Sequence, residues 1–175
     1  VSAVLLMISC KPEAPKDYVT LSGTIINPNS DSLIVAQKQI IKTIKVNEDG
    51  TFSDTLKVDP GTYVLFDGTE QARVYLKNGF DLNLTVNTNE FDETVNYNGN
   101  GAEENNYLAA VAILQESVLE DESMFQLEKP KFDEKVEDIN SKFQNLLAES
   151  KIVDTAFVAS QKKQLSGLKG YIASS

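Results

Sequence analysis

The feature that most constrains this chain is a change of hydrophobic period close to Gly101. Before it, apolar side chains alternate with polar ones, as in Phe80-Asp-Leu82-Asn-Leu84-Thr-Val86 and in Tyr18 to Ile26. An alternation of two places one row of side chains on each face of a strand, so such segments need a sheet with one buried face. After Gly101 the apolar residues recur at three and four, as in Val136, Ile139, Phe143 and Leu147. That spacing draws a stripe along a helix. A layer of strands followed by a layer of helices is therefore expected, meeting near residue 100.

Turn formers divide the first part into eight or nine short strands. Asn27-Pro28-Asn29-Ser30 ends the first, and Leu33 to Ala36 and Ile40 to Val46 follow. Asp49-Gly50 reads as a hairpin of type I′ into Thr51 to Val58, because both central positions of that turn need positive φ. Asp59-Pro60-Gly61 leads to Tyr63–Phe66, and Gly68 reverses the chain into Ala72, Val74 and Leu76. Asn78-Gly79 is the strongest hairpin signal, and a last strand at Thr94 to Tyr97 ends in Asn98-Gly-Asn-Gly101. Strands this short and this regularly spaced predict an antiparallel β-sandwich over residues 18–100.

Residues 101–175 predict about three amphipathic helices, making the whole chain mainly β with α. The first opens at Glu103 and Glu104, carboxylates favoured at the positive end of the helix dipole, and carries Tyr107, Val111, Leu114 and Val118. Pro130 suits the first turn of the second, whose stripe is Phe132, Val136, Ile139, Phe143, Leu146 and Leu147. The third starts at Asp154, carries Phe157, Val158, Leu165 and Leu168, and is expected to stop at Gly170. These stripes read as core packing, with docking of the second helix on another domain as the alternative.

The first ten residues differ from the rest. Val1–Ile8 is apolar but too short to span a bilayer, and has the size of the apolar region of a secretory signal. Ser9-Cys10 after Leu6, Met7 and Ile8 resembles a bacterial lipobox, in which the cysteine is acylated and becomes the mature N-terminus. Residues 1–10 are thus expected to be a lipoprotein signal segment clipped at its start, with Cys10 the lipidation site. Residues 11–17, rich in Pro, Lys and Asp, form a stiff solvated tether. Acyl chains at about 0.8 kcal/mol per buried methylene would hold the protein on a membrane. The alternative is a buried first strand ending in a structural cysteine.

Composition closes several classes of chemistry. The chain has no histidine and one cysteine, so Ser-His and Cys-His nucleophiles, a Cys-x-x-Cys pair and an internal disulfide are excluded. Its net charge of −10 offers no basic stripe for nucleic acid. The neighbouring carboxylates Asp92 and Glu93, Glu103 and Glu104, and Asp121 and Glu122 read as solvated helix ends rather than an acid–base pair, which needs a fixed separation in a cleft. A calcium loop with Gly50 at its sixth place would begin at Lys45 and end at Leu56, neither of them a carboxylate. Tyr63, Phe66 and Tyr75 read as packing residues in preference to a ligand platform. No catalytic residue, metal or cofactor is expected within the chain.

The pattern Gly23, Asn47-x-Asp49-Gly50-x-Phe52, Val58-x-x-Gly61-x-Tyr63, Val74-Tyr75-Leu76 and Gly79-x-x-Leu82-x-Leu84 resembles a known domain. It is similar to the N-terminal domain of unknown function in Bacteroidetes lipoproteins of the TlpA-like (AhpC/TSA) thiol–disulfide oxidoreductase family, over roughly residues 18–120. The resemblance implies a sandwich and a helical segment preceding a thioredoxin-like domain, which would lie beyond Ser175. It implies a non-catalytic accessory module of a periplasmic oxidoreductase; Lys11 after Cys10 and the lack of an acidic cluster there make a periplasm-facing anchor the default expectation. A stand-alone envelope lipoprotein that binds a ligand or a protein partner is the alternative. No catalytic residue carries over, because the family's cysteine pair has no counterpart here.

Overall fold

The computed structural model describes residues 16–119 and 121–173. Both helix and strand are well represented among these residues, so this is a mixed β and α protein. Among the described residues eight strands precede the main helices: β1 (Val19–Ile26), β2 (Ser32–Ala36), β3 (Ile40–Lys45), β4 (Thr51–Leu56), β5 (Gly61–Phe66), β6 (Gln71–Leu76), β7 (Asp81–Asn87) and β8 (Asn96–Asn100). They form two four-stranded sheets, ordered β4-β1-β7-β8 and β3-β2-β5-β6. Val19, Leu21, Leu82 and Leu84 of the first sheet and Leu33, Val35, Ile44 and Val74 of the second are buried in one shared core. The alternation read from the sequence is the alternation of burial along β1 and β7.

Two features depart from a simple antiparallel stack. β1 and β7 pair in parallel, from Thr20 opposite Asp81 to Ile26 opposite Asn87, while every other pair is antiparallel. The expected hairpins at Asp49-Gly50 and Asn78-Gly79 are instead corners between sheets, since β3 and β4 belong to different sheets, as do β6 and β7. At the first corner Asn47 N–H donates to the Thr51 carbonyl and Gly50 N–H to the Asn47 carbonyl, both at 2.9 Å. Only Gly50 has positive φ, at +80°, so the turn is not of type I′. The Asp49 carboxylate accepts from the Thr51 N–H at 3.0 Å and from its hydroxyl at 2.6 Å, which holds the reversal locally. An alternation of two says which side chains point inward and not which sheet they belong to.

Among the described residues four α-helices follow or interrupt the strands: α1 (Phe91–Thr94), α2 (Ala102–Leu119), α3 (Lys129–Glu149) and α4 (Thr155–Ala173). The single-turn α1 takes in Thr94, so the last strand starts later than its sequence suggested and runs through Gly99. Gly101 joins β8 to α2 with φ +99°, and a Cβ there would lie 2.3 Å from the Phe80 ring. Pro130 occupies the first turn of α3, whose Val136, Ile139, Phe143 and Leu147 are buried, as the stripe predicted. α4 passes through Gly170 without stopping. Among the described residues no helix is long and apolar enough to cross a membrane.

Candidate functional site

The sheets of a sandwich expose unpaired main chain along their outer strands. Here β6 ends one sheet and β8 the other, and α2 lies against both. Two consecutive asparagines make the joint. The Asn105 amide accepts from the Tyr75 N–H at 2.7 Å and donates to the Tyr75 carbonyl at 2.9 Å, on β6. The Asn106 amide does the same to Tyr97 on β8, at 2.8 Å each way. Each side chain behaves as one residue of an added strand. Helical neighbours diverge by about 100°, so adjacent residues suit two edges that face each other. Asparagine next to asparagine carried no flag in the sequence, because its meaning depends on the two edges it reaches.

Beside this joint, Val64, Ala72, Val95, Leu108, Ala109 and Ala112 line a cleft of about 310 Å³, with Gln71, Arg73, Asp92 and Tyr97 among them. That volume falls at the lower end of the range for small-molecule sites. Tyr97 is 2% exposed, and its hydroxyl has no hydrogen-bond partner among the described residues. Burial drives its pKa far above the ordinary tyrosine value. Arg73, the one arginine of the chain, lies on β6 and donates through a terminal nitrogen to Gln115 Oε1 of α2 at 2.6 Å. It also borders a second hollow of about 90 Å³ between α2, α3 and α4, lined by Tyr107, Gln115, Phe143, Gln161 and Leu165. Burial raises the Tyr107 pKa, and the Arg73 guanidinium opposes that rise.

The helical layer is keyed to the sandwich through Phe157 of α4, which is 2% exposed. Its ring lies 4.8 Å from that of Tyr75 and 5.9 Å from that of Tyr107. Just before it, the Asp154 carboxylate accepts from the Ala156 and Phe157 N–H groups at 3.0 Å each, capping α4. The same carboxylate pairs with Lys77 at 3.0 Å, in the corner between β6 and β7. The Phe157 N–H and then Lys77 hold its pKa below the ordinary carboxylate value.

Cys10 and most of the tether lie outside the described residues, so the lipidation site has no structural counterpart to report. Tyr63 and Tyr75 are buried, and the Tyr63 hydroxyl donates to the Asp59 carbonyl at 2.8 Å, so they pack the fold and form no open platform. Asp121 pairs with Lys135 at 3.2 Å. Glu104 is buried at the start of α2, while Glu103 beside it is exposed. Asp92 borders the cleft and is the one residue of those carboxylate couples found there. Among the described residues no group of three potential metal ligands converges. No protein-family model matches the chain, and no curated protein matches it.

Proposed function

We propose that this chain is a non-catalytic accessory module, anchored to a membrane through lipid on Cys10 and facing the periplasm. In this reading it is the N-terminal part of a thioredoxin-like thiol–disulfide oxidoreductase, and it positions the domain that performs the exchange. Exchange needs a thiolate that attacks a disulfide and a second thiol to resolve the product. A chain with one cysteine, committed to lipid, has neither.

The observation that carries the positioning role is the joint around Phe157. A helix seated between Tyr75 and Tyr107, capped by Asp154 and tied to Lys77, leaves the sandwich in a set direction. A flexible connection would transmit no orientation from the anchored sandwich to whatever α4 carries. The resemblance of residues 18–120 to a domain that precedes thioredoxin-like domains supports the same reading.

Two measurements test it. Cys10→Ala should move the protein from the membrane to the soluble fraction of expressing cells and abolish fatty-acid labelling. The coding sequence downstream of Ser175 should continue into a frame containing Cys-x-x-Cys; a frame without that pair removes the oxidoreductase part of the proposal. A stand-alone lipoprotein that binds a ligand is the second reading, favoured by the cleft beside Tyr97.

A further inference from the structure

The two hollows beside α2 share Arg73 and Leu108, so they adjoin across these side chains. Their chemistry differs. The larger is walled by Val64, Ala72, Val95, Leu108, Ala109 and Ala112, with Asp92 as its acidic group. The smaller gathers amides and a cation: Gln115, Gln161 and Gln164 with Arg73. Gln161 is 4% exposed and makes no side-chain hydrogen bond among the described residues, although it borders this hollow. Its amide is therefore a donor that an acceptor bound in this hollow can reach.

We infer that Arg73 and Gln161, with the cleft along Ala72, Ala109 and Ala112, form a binding site for a small amphipathic monocarboxylate. The carboxylate meets the guanidinium, whose planar fork of donors matches two carboxylate oxygens. The bond to Gln115 at 2.6 Å takes one of its five donors and restrains its plane. The Gln161 amide supplies a further donor from α4. The apolar body lies across Leu108 into the larger cleft. Asp92, on α1 at that cleft, repels a carboxylate and so sets the direction in which such a ligand lies. The site draws on β5, β6, β8, α1, α2 and α4, so it exists only when the sandwich and helices are assembled. This inference does not depend on membrane anchoring or on any downstream domain.

Titration of the purified 175-residue chain with octanoate, read by calorimetry, tests the inference. Saturable one-to-one binding is expected, with 1-octanol and acetate each at least about tenfold weaker, since each lacks one half of the recognised chemistry. Arg73→Gln should weaken octanoate by about tenfold or more. In the unsubstituted chain carrying labelled alanine methyls, octanoate should shift the resonances of Ala72, Ala109 and Ala112 and leave Ala36 and Ala148 in place. Absence of saturation, equal binding of 1-octanol, equal binding of acetate, full binding by a folded Arg73→Gln, or shifts centred elsewhere would each overturn it. Should Arg73→Gln fail to fold, the methyl shifts and the two control ligands still decide.

Discussion

Asn105 holds the main chain of Tyr75 at both of its polar groups, accepting from the N–H at 2.7 Å and donating to the carbonyl at 2.9 Å. Its Nδ2 also donates to the Gly101 carbonyl at 2.8 Å, and the residue is wholly buried. One side chain thus satisfies an unpaired stretch of β6 and locks the first turn of α2.

Asn105→Ala is therefore expected to destabilise the protein by about 2–4 kcal/mol, because buried main-chain groups on β6 lose their partners at about 1–3 kcal/mol each. Asn106→Ala, at a half-buried position of α2 whose bonds reach β8, should cost less, about 1–2 kcal/mol, since water can take the place of a side chain that already meets solvent. Urea unfolding of both variants gives the comparison. Equal losses would remove the distinction between a sealed asparagine and one that meets solvent.

Tyr97 presents the reverse case. Its hydroxyl is buried with no partner among the described residues, so Tyr97→Phe removes an unsatisfied group while keeping the ring. The variant should be as stable as the parent or more stable by up to about 1 kcal/mol. Burial also keeps the phenol protonated in the folded state well above the ordinary tyrosine pKa. The unfolded phenol ionises near pH 10, so below that pH this group adds no pH dependence, and above it ionisation of the unfolded chain draws stability away as pH rises toward the raised folded value. The alkaline fall in melting temperature should be shallower in Tyr97→Phe.

Asp154 links the corner at Lys77 to the start of α4. Its pKa is lowered, first by the Phe157 N–H and then by Lys77, so its contribution is present above the ordinary aspartate pKa. It is lost as pH falls through the depressed folded value. Asp154→Ala should cost about 1 kcal/mol through the missing cap. Amide exchange at the first turn of α4 should quicken at pH 7, and the difference between variant and parent should close in strong acid.

Phe157→Ala should cost about 3–5 kcal/mol, the range for truncating a buried aromatic side chain. The proposed positioning role gives a second readout. Exchange protection should fall along α4 and remain in β1 and β7, whose central pairing does not involve Phe157. Uniform loss across both layers would mean that α4 and the sandwich unfold as one unit.

Much of this arrangement was legible from residue order. The burial of Leu82, Leu84 and Val86 on one face of β7, and of Val136, Ile139 and Phe143 on one face of α3, follows from spacing alone. Spacing records which side chains leave water together, and that is a local property. Reversals at Gly50 and Gly79 are local too, because both take positive φ. Which strands then pair is not local. β1 lies beside β7 across some sixty intervening residues, and both turns became corners because β3 and β6 already had partners in another sheet.

The candidate site belongs almost wholly to that second category. Arg73, Gln115 and Gln161 stand far apart in the chain, and nothing about any of them alone suggests a ligand. Tertiary packing brought them together when α2 sealed the gap between β6 and β8 and α4 seated Phe157 beside Tyr75. Residue order determined the two layers, their inward faces and the exclusion of cysteine-pair and histidine chemistry. Only the folded chain decided which polar groups stand side by side at a hollow, and therefore where binding energy is available.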